Sequence, residues 1–163
     1  MKADVTRTLV ERQLTDIKEL AQTSGWEVEA DFDALTVEVR MQSPVDDEEY
    51  VVRFDCTGYD EKPPTVEMVH PGTGEVGHYE AYFDDRGKNP FLIAFDGGPE
   101  DPVLCHQYNR RVYDDDTDLH NNWTVGEWQS DAGNLTTLGD IAADIYHRIS
   151  DSERYQGRYD GQR

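Results

Sequence analysis

Three segments in which apolar and polar residues alternate constrain this chain more than any other feature of its sequence. Within residues 26–30, 35–41 and 50–56 every second residue is apolar, and the residues between are mostly polar. A period of two places the apolar side chains on one face of a β-strand. A fourth strand is expected at residues 65–69, directly after Pro63-Pro64, because proline cannot donate to a strand ladder. Short turns join the segments, so we expect a four-stranded antiparallel meander with one buried face.

Helical patterns lie on both sides of these strands. Apolar residues recur at helical spacing over residues 5–23, and Ser24-Gly25 ends the pattern. A second helix is expected from about Thr136 to Ser150, with Thr136 or Thr137 as its cap. The order of elements predicts an α+β fold with the helices packed on one face or at the ends of the sheet.

The remaining chain is expected to be mostly loop. The segment after His70 is rich in Gly, Pro and Asp but also holds aromatic residues, which favours an ordered excursion. Residues 91–95 are apolar enough for a short strand, and residues 97–134 look irregular. A long loop inside a compact domain is often functional, so the candidate site is expected there.

The chain length of 163 residues predicts one domain, which we assign to residues 1–150. The segment 151–163 is polar and contains glycine. It is therefore expected to be a frayed C-terminal tail.

The charge of the chain is strongly negative, with 35 acidic and 15 basic residues and a formal net charge of −20. The aromatic content of 10% and the regular apolar periodicity argue for a folded body rather than a disordered acidic chain. Such a surface suits a salt-rich cytoplasm, where screening weakens the repulsion between carboxylates. It would repel phosphate backbones, so no nucleic acid partner is expected.

The N-terminus carries charges where a secretory signal would be apolar, and no apolar run approaches the length of a membrane span. We therefore expect a soluble, cytoplasmic protein with no membrane partner. In such a reducing compartment the two cysteines, Cys56 and Cys105, are expected to be free thiols. Cys56 has the inward phase of its strand and is expected to be core.

Several segments, in order, resemble a known superfamily. The stretch YDEKPPTVEMVHP, residues 59–71, resembles the aromatic, Pro-Pro, strand and His-Pro succession of ubiquitin-conjugating (E2) and RWD-type domains. PVLCHQYN, residues 102–109, resembles the lead-in to the thioester cysteine of that superfamily. Trp123 resembles the tryptophan that follows that cysteine, and TLGDIAADIYHRI, residues 137–149, resembles the next helix. The resemblance implies a UBC-like fold.

The resemblance also implies an activity and partners. Cys105 would accept a ubiquitin-like modifier as a thioester from an activating enzyme and pass it to an amine. Two features depart from the pattern. The asparagine of the family's His-Pro-Asn is replaced by Gly72, and roughly three dozen residues separate His70 from Cys105, which requires an insertion over residues 72–102.

The candidate catalytic residues are Cys105, His106, Asn109 and Asn122. His106 and the neighbouring Arg110-Arg111 pair form a basic island that would lower the pKa of the Cys105 thiol and favour the thiolate. In place of the missing asparagine, Asn109, Asn121 or Asn122 would supply a side-chain amide to the oxyanion. The alternative for Cys105 is a packed thiol at the end of a short buried strand.

Two other functions remain open from the sequence. A catalytically inactive, RWD-like interaction module would keep the sheet and helices without acyl chemistry. A metal-binding protein would use Cys105, His106 and His120, although the spacing of these residues is poor for one tetrahedral ion. The acidic residues around Asp116 and Asp118 lack the glycine of a calcium loop. We therefore predict neither a metal site nor a cofactor.

Overall fold

A computed structural model describes residues 3–85, 91–94, 102–114 and 123–161. It is a mixed α+β structure with an N-terminal helix, a four-stranded antiparallel sheet and a C-terminal helix, as the sequence predicts. The elements in chain order are α1 (Ala3–Ser24), β1 (Glu27–Asp31), β2 (Thr36–Gln42), β3 (Glu49–Asp55), β4 (Thr65–Val69), β5 (Leu92–Ala94), β6 (Pro102–Leu104), α2 (Arg111–Asp114), α3 (Trp128–Asp131) and α4 (Leu138–Ser150).

The main sheet is a meander in the order β1-β2-β3-β4, and all its neighbouring strands are antiparallel. Val39 pairs with Val52, and Val52 pairs with Met68, so the apolar sets of three strands coincide on one face. These three side chains are fully buried. The alternation in the sequence therefore sets the register, because a slip of one residue would turn this face to solvent.

The hairpin between β1 and β2 differs from the prediction at one residue. Leu35 was expected to begin the second strand, but it lies in the turn with a φ of 55°, and β2 begins at Thr36. The carboxylate of Asp31 accepts hydrogen bonds from the backbone N–H groups of Asp33 (3.0 Å) and Ala34 (3.1 Å). An aspartate that bonds to the backbone ahead of it favours a turn over a continued strand.

The two long helices pack against each other at a glycine. A Cβ atom on Gly139 would lie 3.3 Å from Leu20 Cδ1, so the first turn of α4 fits against α1 because this residue has no side chain. The Thr137 hydroxyl caps α4 by accepting a hydrogen bond from the Asp140 N–H at 3.1 Å. The Gln13 side-chain oxygen accepts from both the Leu138 N–H and the Tyr59 hydroxyl at 2.9 Å, which ties α1 to α4 and to the segment before β4.

A short second sheet follows the main one. Leu92 pairs with Leu104 and Ile93 with Val103, so β5 and β6 form an antiparallel pair. The strand expected at residues 91–95 is therefore present as Leu92–Ala94, while residue 95 lies outside the described part. From the sequence, a short buried strand before Cys105 was expected only in the alternative in which the thiol is packed. The structure contains this strand at Pro102–Leu104.

The C-terminal segment corrects the expectation of a frayed tail. Residues 151–161 fold back on the body, where Arg158 forms a β-bridge with Phe83 and the Tyr159 N–H donates to the Tyr82 carbonyl at 2.8 Å. Tyr155 and Tyr159 are both buried. Within the described residues, no helix is both long enough and apolar enough to cross a bilayer.

Candidate functional site

Cys105 directly follows β6, and the pairing of β5 with β6 positions it. Its backbone N–H donates to the carbonyl of Phe91 at 2.9 Å, which continues the pairing one residue beyond Leu104. The residue is half-buried, whereas Cys56 is fully buried in the core. The two thiols are thus in different environments, and Cys105 is the more accessible one.

The Cys105 thiol is not activated in the way that its basic neighbours suggested. Burial raises the pKa of Cys105 to about 11, so the uncharged thiol is the stable form at neutral pH. The expectation of a lowered pKa is therefore corrected. At neutral pH only a small fraction of the Cys105 thiol is therefore ionised.

The two arginines after Cys105 have structural partners instead. Arg110 donates from Nη1 to the Thr57 carbonyl at 3.2 Å. Arg111 donates from Nη1 to the Pro102 carbonyl at 3.1 Å, and its Nε lies 3.8 Å from the Glu67 carboxylate. These contacts connect α2 to β6 and to the main sheet.

His106 is half-buried, and aromatic neighbours and one hydrogen bond hold its ring. Its ring stacks on the Tyr108 ring with centroids 4.1 Å apart, and the backbone N–H of Tyr108 donates to Nδ1 at 3.2 Å. The Phe91 ring lies against it at 6.5 Å between centroids. Burial lowers the pKa of His106, and Arg148 lowers it further while Asp144 opposes the change. A neutral imidazole is the result.

Asn109 is fully buried, and its amide is already engaged. Nδ2 donates to the carbonyls of Leu104 at 2.9 Å and Val66 at 3.1 Å, while Oδ1 accepts from the N–H groups of Val66 at 3.0 Å and Arg111 at 3.2 Å. Both amide hydrogens are thus used inside the protein. In this arrangement Asn109 has no N–H to offer a substrate, and its role is to join β4, β6 and α2.

Asn122, Asn121 and His120 are outside the described residues, as are the acidic residues Asp116 and Asp118. Across the described ranges, no group of three or more metal-ligating side chains occurs.

The His70-Pro71-Gly72 turn is folded around its histidine. Nδ1 of His70 accepts hydrogen bonds from the N–H groups of Gly72 at 3.0 Å and Thr73 at 3.1 Å. A Cβ on Gly72 would lie 3.3 Å from the His70 ring, so the close backbone suits glycine. The His70 side chain therefore stabilises this turn. Position 72, as a glycine, provides no side chain to a site.

Arg148 on α4 is a functional candidate that was not among the residues predicted from the sequence. Its guanidinium stacks over the Phe91 ring at 3.9 Å, donates from Nε to Asp144 at 3.0 Å and from Nη1 to Asp85 at 3.3 Å. Asp85 is buried and accepts the Phe91 N–H at 3.1 Å, and Phe91 in turn holds the Cys105 backbone. The sequence does indicate its ion pair with Asp144, because the two residues are four apart on a helix.

Among the described residues, the site combines a half-buried, uncharged thiol at Cys105 with a neutral imidazole on the next residue, and the Asn109 amide holds the end of β6 before them. In comparisons with known proteins, no family model matches the chain and no curated protein matches it.

Proposed function

We propose that the protein is an E2-like carrier that accepts a ubiquitin-like modifier as a thioester on Cys105 and transfers it to an amine. The observation that carries the proposal is the placement of Cys105. The half-buried thiol directly follows β6. Along the chain it comes after the meander, whose last strand has Pro-Pro before it and His-Pro after it, and before the C-terminal helix. This order of elements is the one that the resemblance to ubiquitin-conjugating domains implies.

The raised pKa of Cys105 suits a carrier better than a hydrolase. A thiol of high pKa is a poor leaving group, so an acyl group bound to it is lost slowly both to water and to an amine that no partner positions. The small thiolate fraction at neutral pH also protects the free thiol from indiscriminate alkylation and oxidation. Loading is then slow in the protein alone, and a partner that positions the acyl donor and accepts the thiol proton would accelerate it, which is the task of an activating enzyme.

The experiment is a direct transfer of an acyl group. The purified protein is incubated with the mercaptoethanesulfonate thioester of N-acetylglycylglycine, whose blocked amine prevents cyclisation, and intact mass reports acylation. The proposal expects one added N-acetylglycylglycine unit on Cys105, which free lysine then removes. Cys105→Ala should abolish the adduct, whereas Cys56→Ala, at the fully buried thiol, should retain it. An adduct that persists in Cys105→Ala, or no adduct at all, would rule out the carrier.

The second candidate is an RWD-like interaction module without acyl chemistry. Asn109 favours it, since the amide that was expected to stabilise an oxyanion is fully used in holding the fold. The same assay separates the two functions. A module would leave Cys105 unmodified by the thioester while iodoacetamide still alkylated it.

A further inference from the structure

Strand β1 forms one edge of the main sheet, and the hydrogen-bonding pattern shows which of its backbone groups face outward. The Cys56 N–H donates to the Leu35 carbonyl at 2.8 Å, so the odd-numbered residues of β2 bond to β3 and the even-numbered ones to β1. These even-numbered residues lie opposite the odd-numbered residues of β1. The N–H and carbonyl groups of Val28 and Ala30, between them, therefore point away from the sheet.

The outward backbone groups of β1 have no partner among the described residues. Within these ranges β1 pairs only with β2, and neither Val28 nor Ala30 forms a backbone hydrogen bond to another segment. Unpaired groups on an edge strand are a template for another extended chain, which adds to the sheet through main-chain hydrogen bonds. The edge of β1 is thus able to accept such a chain.

The side chains of β1 form two sets of different chemistry. Val28 and Ala30 are half-buried and pack against the core, whereas Glu27, Glu29 and Asp31 are exposed on the opposite face of the sheet. In an added strand, the residues opposite Val28 and Ala30 would lie on the core side, against apolar surface. Their neighbours would lie on the outer face, beside the carboxylates. The edge therefore fits a segment in which apolar and basic residues alternate.

The outer face beside β1 is concave along the whole strand. One cavity of about 800 Å³ extends to Asp33, in the turn after β1, and a second of about 340 Å³ extends to Glu27, at the start of the strand. Glu29 and Glu38 line both cavities. This groove has room for the long side chains that an added strand would place on the outer face.

The carboxylates of this groove are only partly neutralised. Arg53 pairs with Glu38 at 2.8 Å, and Arg40 Nε lies 4.0 Å from a carboxylate oxygen of Glu27. Glu29, which both cavities share, forms no ion pair in the part of the chain that the structure describes. A second copy of this chain would bring the same carboxylates and a net charge of −20 to the edge, which disfavours self-association. A basic partner is favoured instead.

We propose that the free edge of β1 is a docking site for an extended segment of a partner protein in which basic and apolar residues alternate. The segment adds to β1 in the antiparallel direction, which is the direction of every pair in the main sheet and the more stable one per residue. Its apolar residues contact Val28 and Ala30, and its basic residues lie in the groove beside Glu29. This inference goes beyond the proposed carrier function and does not depend on Cys105.

Two isomeric peptides test the backbone part of the proposal on the unmodified protein. Both alternate lysine and valine, have blocked ends and carry the same neutral fluorophore. One is N-methylated at its valines, and the other at its lysines. The valines lie opposite Val28 and Ala30, so their N–H groups face β1, and only their methylation removes hydrogen bonds to the strand.

Fluorescence anisotropy measures the Kd of each peptide in potassium chloride at which the protein is folded. We expect the valine-methylated peptide to bind at least about tenfold more weakly, because two hydrogen bonds of about 1 kcal/mol each are lost. The charge and composition of the two peptides are identical, so attraction to the acidic surface alone cannot produce this difference.

Three variants test the protein side with the lysine-methylated peptide. Ala30→Pro removes an outward N–H and keeps the pairing with β2, since proline is tolerated where the N–H of an edge strand faces solvent. We expect it to weaken binding about tenfold. Glu29→Gln should weaken binding about threefold, which corresponds to one exposed ion pair. Glu153→Gln, at an exposed carboxylate of the C-terminal segment, is the charge control and should bind like the wild type.

Urea unfolding checks that the variants are folded, and the peptide comparison stands if Ala30→Pro is not. Equal affinities of the two peptides would overturn the proposal, because the contact would then be electrostatic and not a strand pairing. If neither peptide binds, the carboxylates of β1 only protect its edge from pairing, as charged residues do on other edge strands. If ultracentrifugation shows a wild-type dimer that Ala30→Pro dissociates, the occupant is a second copy and the proposed partner is wrong.

Discussion

The side chain of Asn109 pairs with the backbone of Val66 through both of its amide atoms. Oδ1 accepts the Val66 N–H at 3.0 Å, and Nδ2 donates to the Val66 carbonyl at 3.1 Å. The amide thereby takes the place of a neighbouring strand at the edge of β4. Because Nδ2 also donates to the Leu104 carbonyl, this one residue fixes the end of β6, and with it Cys105, relative to the main sheet.

Removal of the Asn109 amide should therefore destabilise the protein. Asn109→Ala leaves four backbone groups in a buried site without this partner, and an unsatisfied buried group costs about 1–3 kcal/mol. Allowing for relaxation and shared partners, we expect the free energy of unfolding to fall by about 3 kcal/mol in urea titrations. Asn134→Ala, at an exposed asparagine, is the control and should change stability little. Equal stability of the two variants would contradict the structural role of Asn109.

The C-terminal segment offers a second test, at Tyr155. Its hydroxyl donates to the Asp46 carboxylate at 2.9 Å and lies 2.6 Å from the hydroxyl of the buried Tyr50. Tyr155→Phe should lower the free energy of unfolding by about 2 kcal/mol, because a hydrogen bond to a charged group is lost and the Tyr50 hydroxyl loses a partner. Tyr79→Phe is the matched control, since no hydrogen bond of the Tyr79 hydroxyl occurs in the described part of the chain. If the tail were frayed, Tyr155→Phe and Tyr79→Phe would have the same free energy of unfolding.

The raised pKa of Cys105 predicts a particular pH dependence of alkylation. Only the thiolate reacts, so its rate should rise about tenfold for each pH unit up to about pH 11. At pH 8 the rate should be about 100-fold below that of a cysteine with a pKa of 9, because the pKa of Cys105 in the folded protein is about two units higher. Iodoacetamide labelling followed by intact mass measures this profile. A plateau below pH 9 would show instead that the thiol is activated in the free protein.

The acidic surface predicts that salt stabilises the fold. With 35 acidic and 15 basic residues, repulsion among the carboxylates acts over the whole surface, while an exposed ion pair contributes only about 0–1 kcal/mol. Screening shortens the Debye length from about 30 Å at 0.01 M salt to about 3 Å at 1 M. The melting temperature should therefore rise between dilute buffer and molar potassium chloride. An unchanged or lower melting temperature would remove the argument for adaptation to salt.

Much of the fold could be predicted because its determinants are local. Alternation over residues 26–56 places the strands, and the spacing of apolar residues together with the Thr137 cap places α4. The C-terminal segment could not be predicted in this way. Its polar composition indicates a tail, yet Tyr155 and Tyr159 pack against residues far away in the sequence.

The candidate site was harder to predict than the fold for the same reason. Cys105 and His106 could be selected by residue type and neighbourhood, but the pKa of the thiol depends on burial, which the sequence does not display. The basic residues nearest in sequence, Arg110 and Arg111, have partners on β6 and around the main sheet. Arg148 lies close to the site only because α4 packs beside Phe91.

A carrier must hold an acyl group on Cys105 in the cell, and isolating that state tests the proposed function directly. Affinity-tagged protein would be recovered from its own cells under acidic, non-reducing conditions, digested and analysed by mass spectrometry. If Cys105 is the carrier residue, the peptide containing it should carry the C-terminal residues of a ubiquitin-like protein. Dithiothreitol or ATP depletion should remove this modification, while Cys56 stays unmodified. Recovery of Cys105 only as a free thiol, while other thioester-linked proteins survive the same isolation, would contradict it.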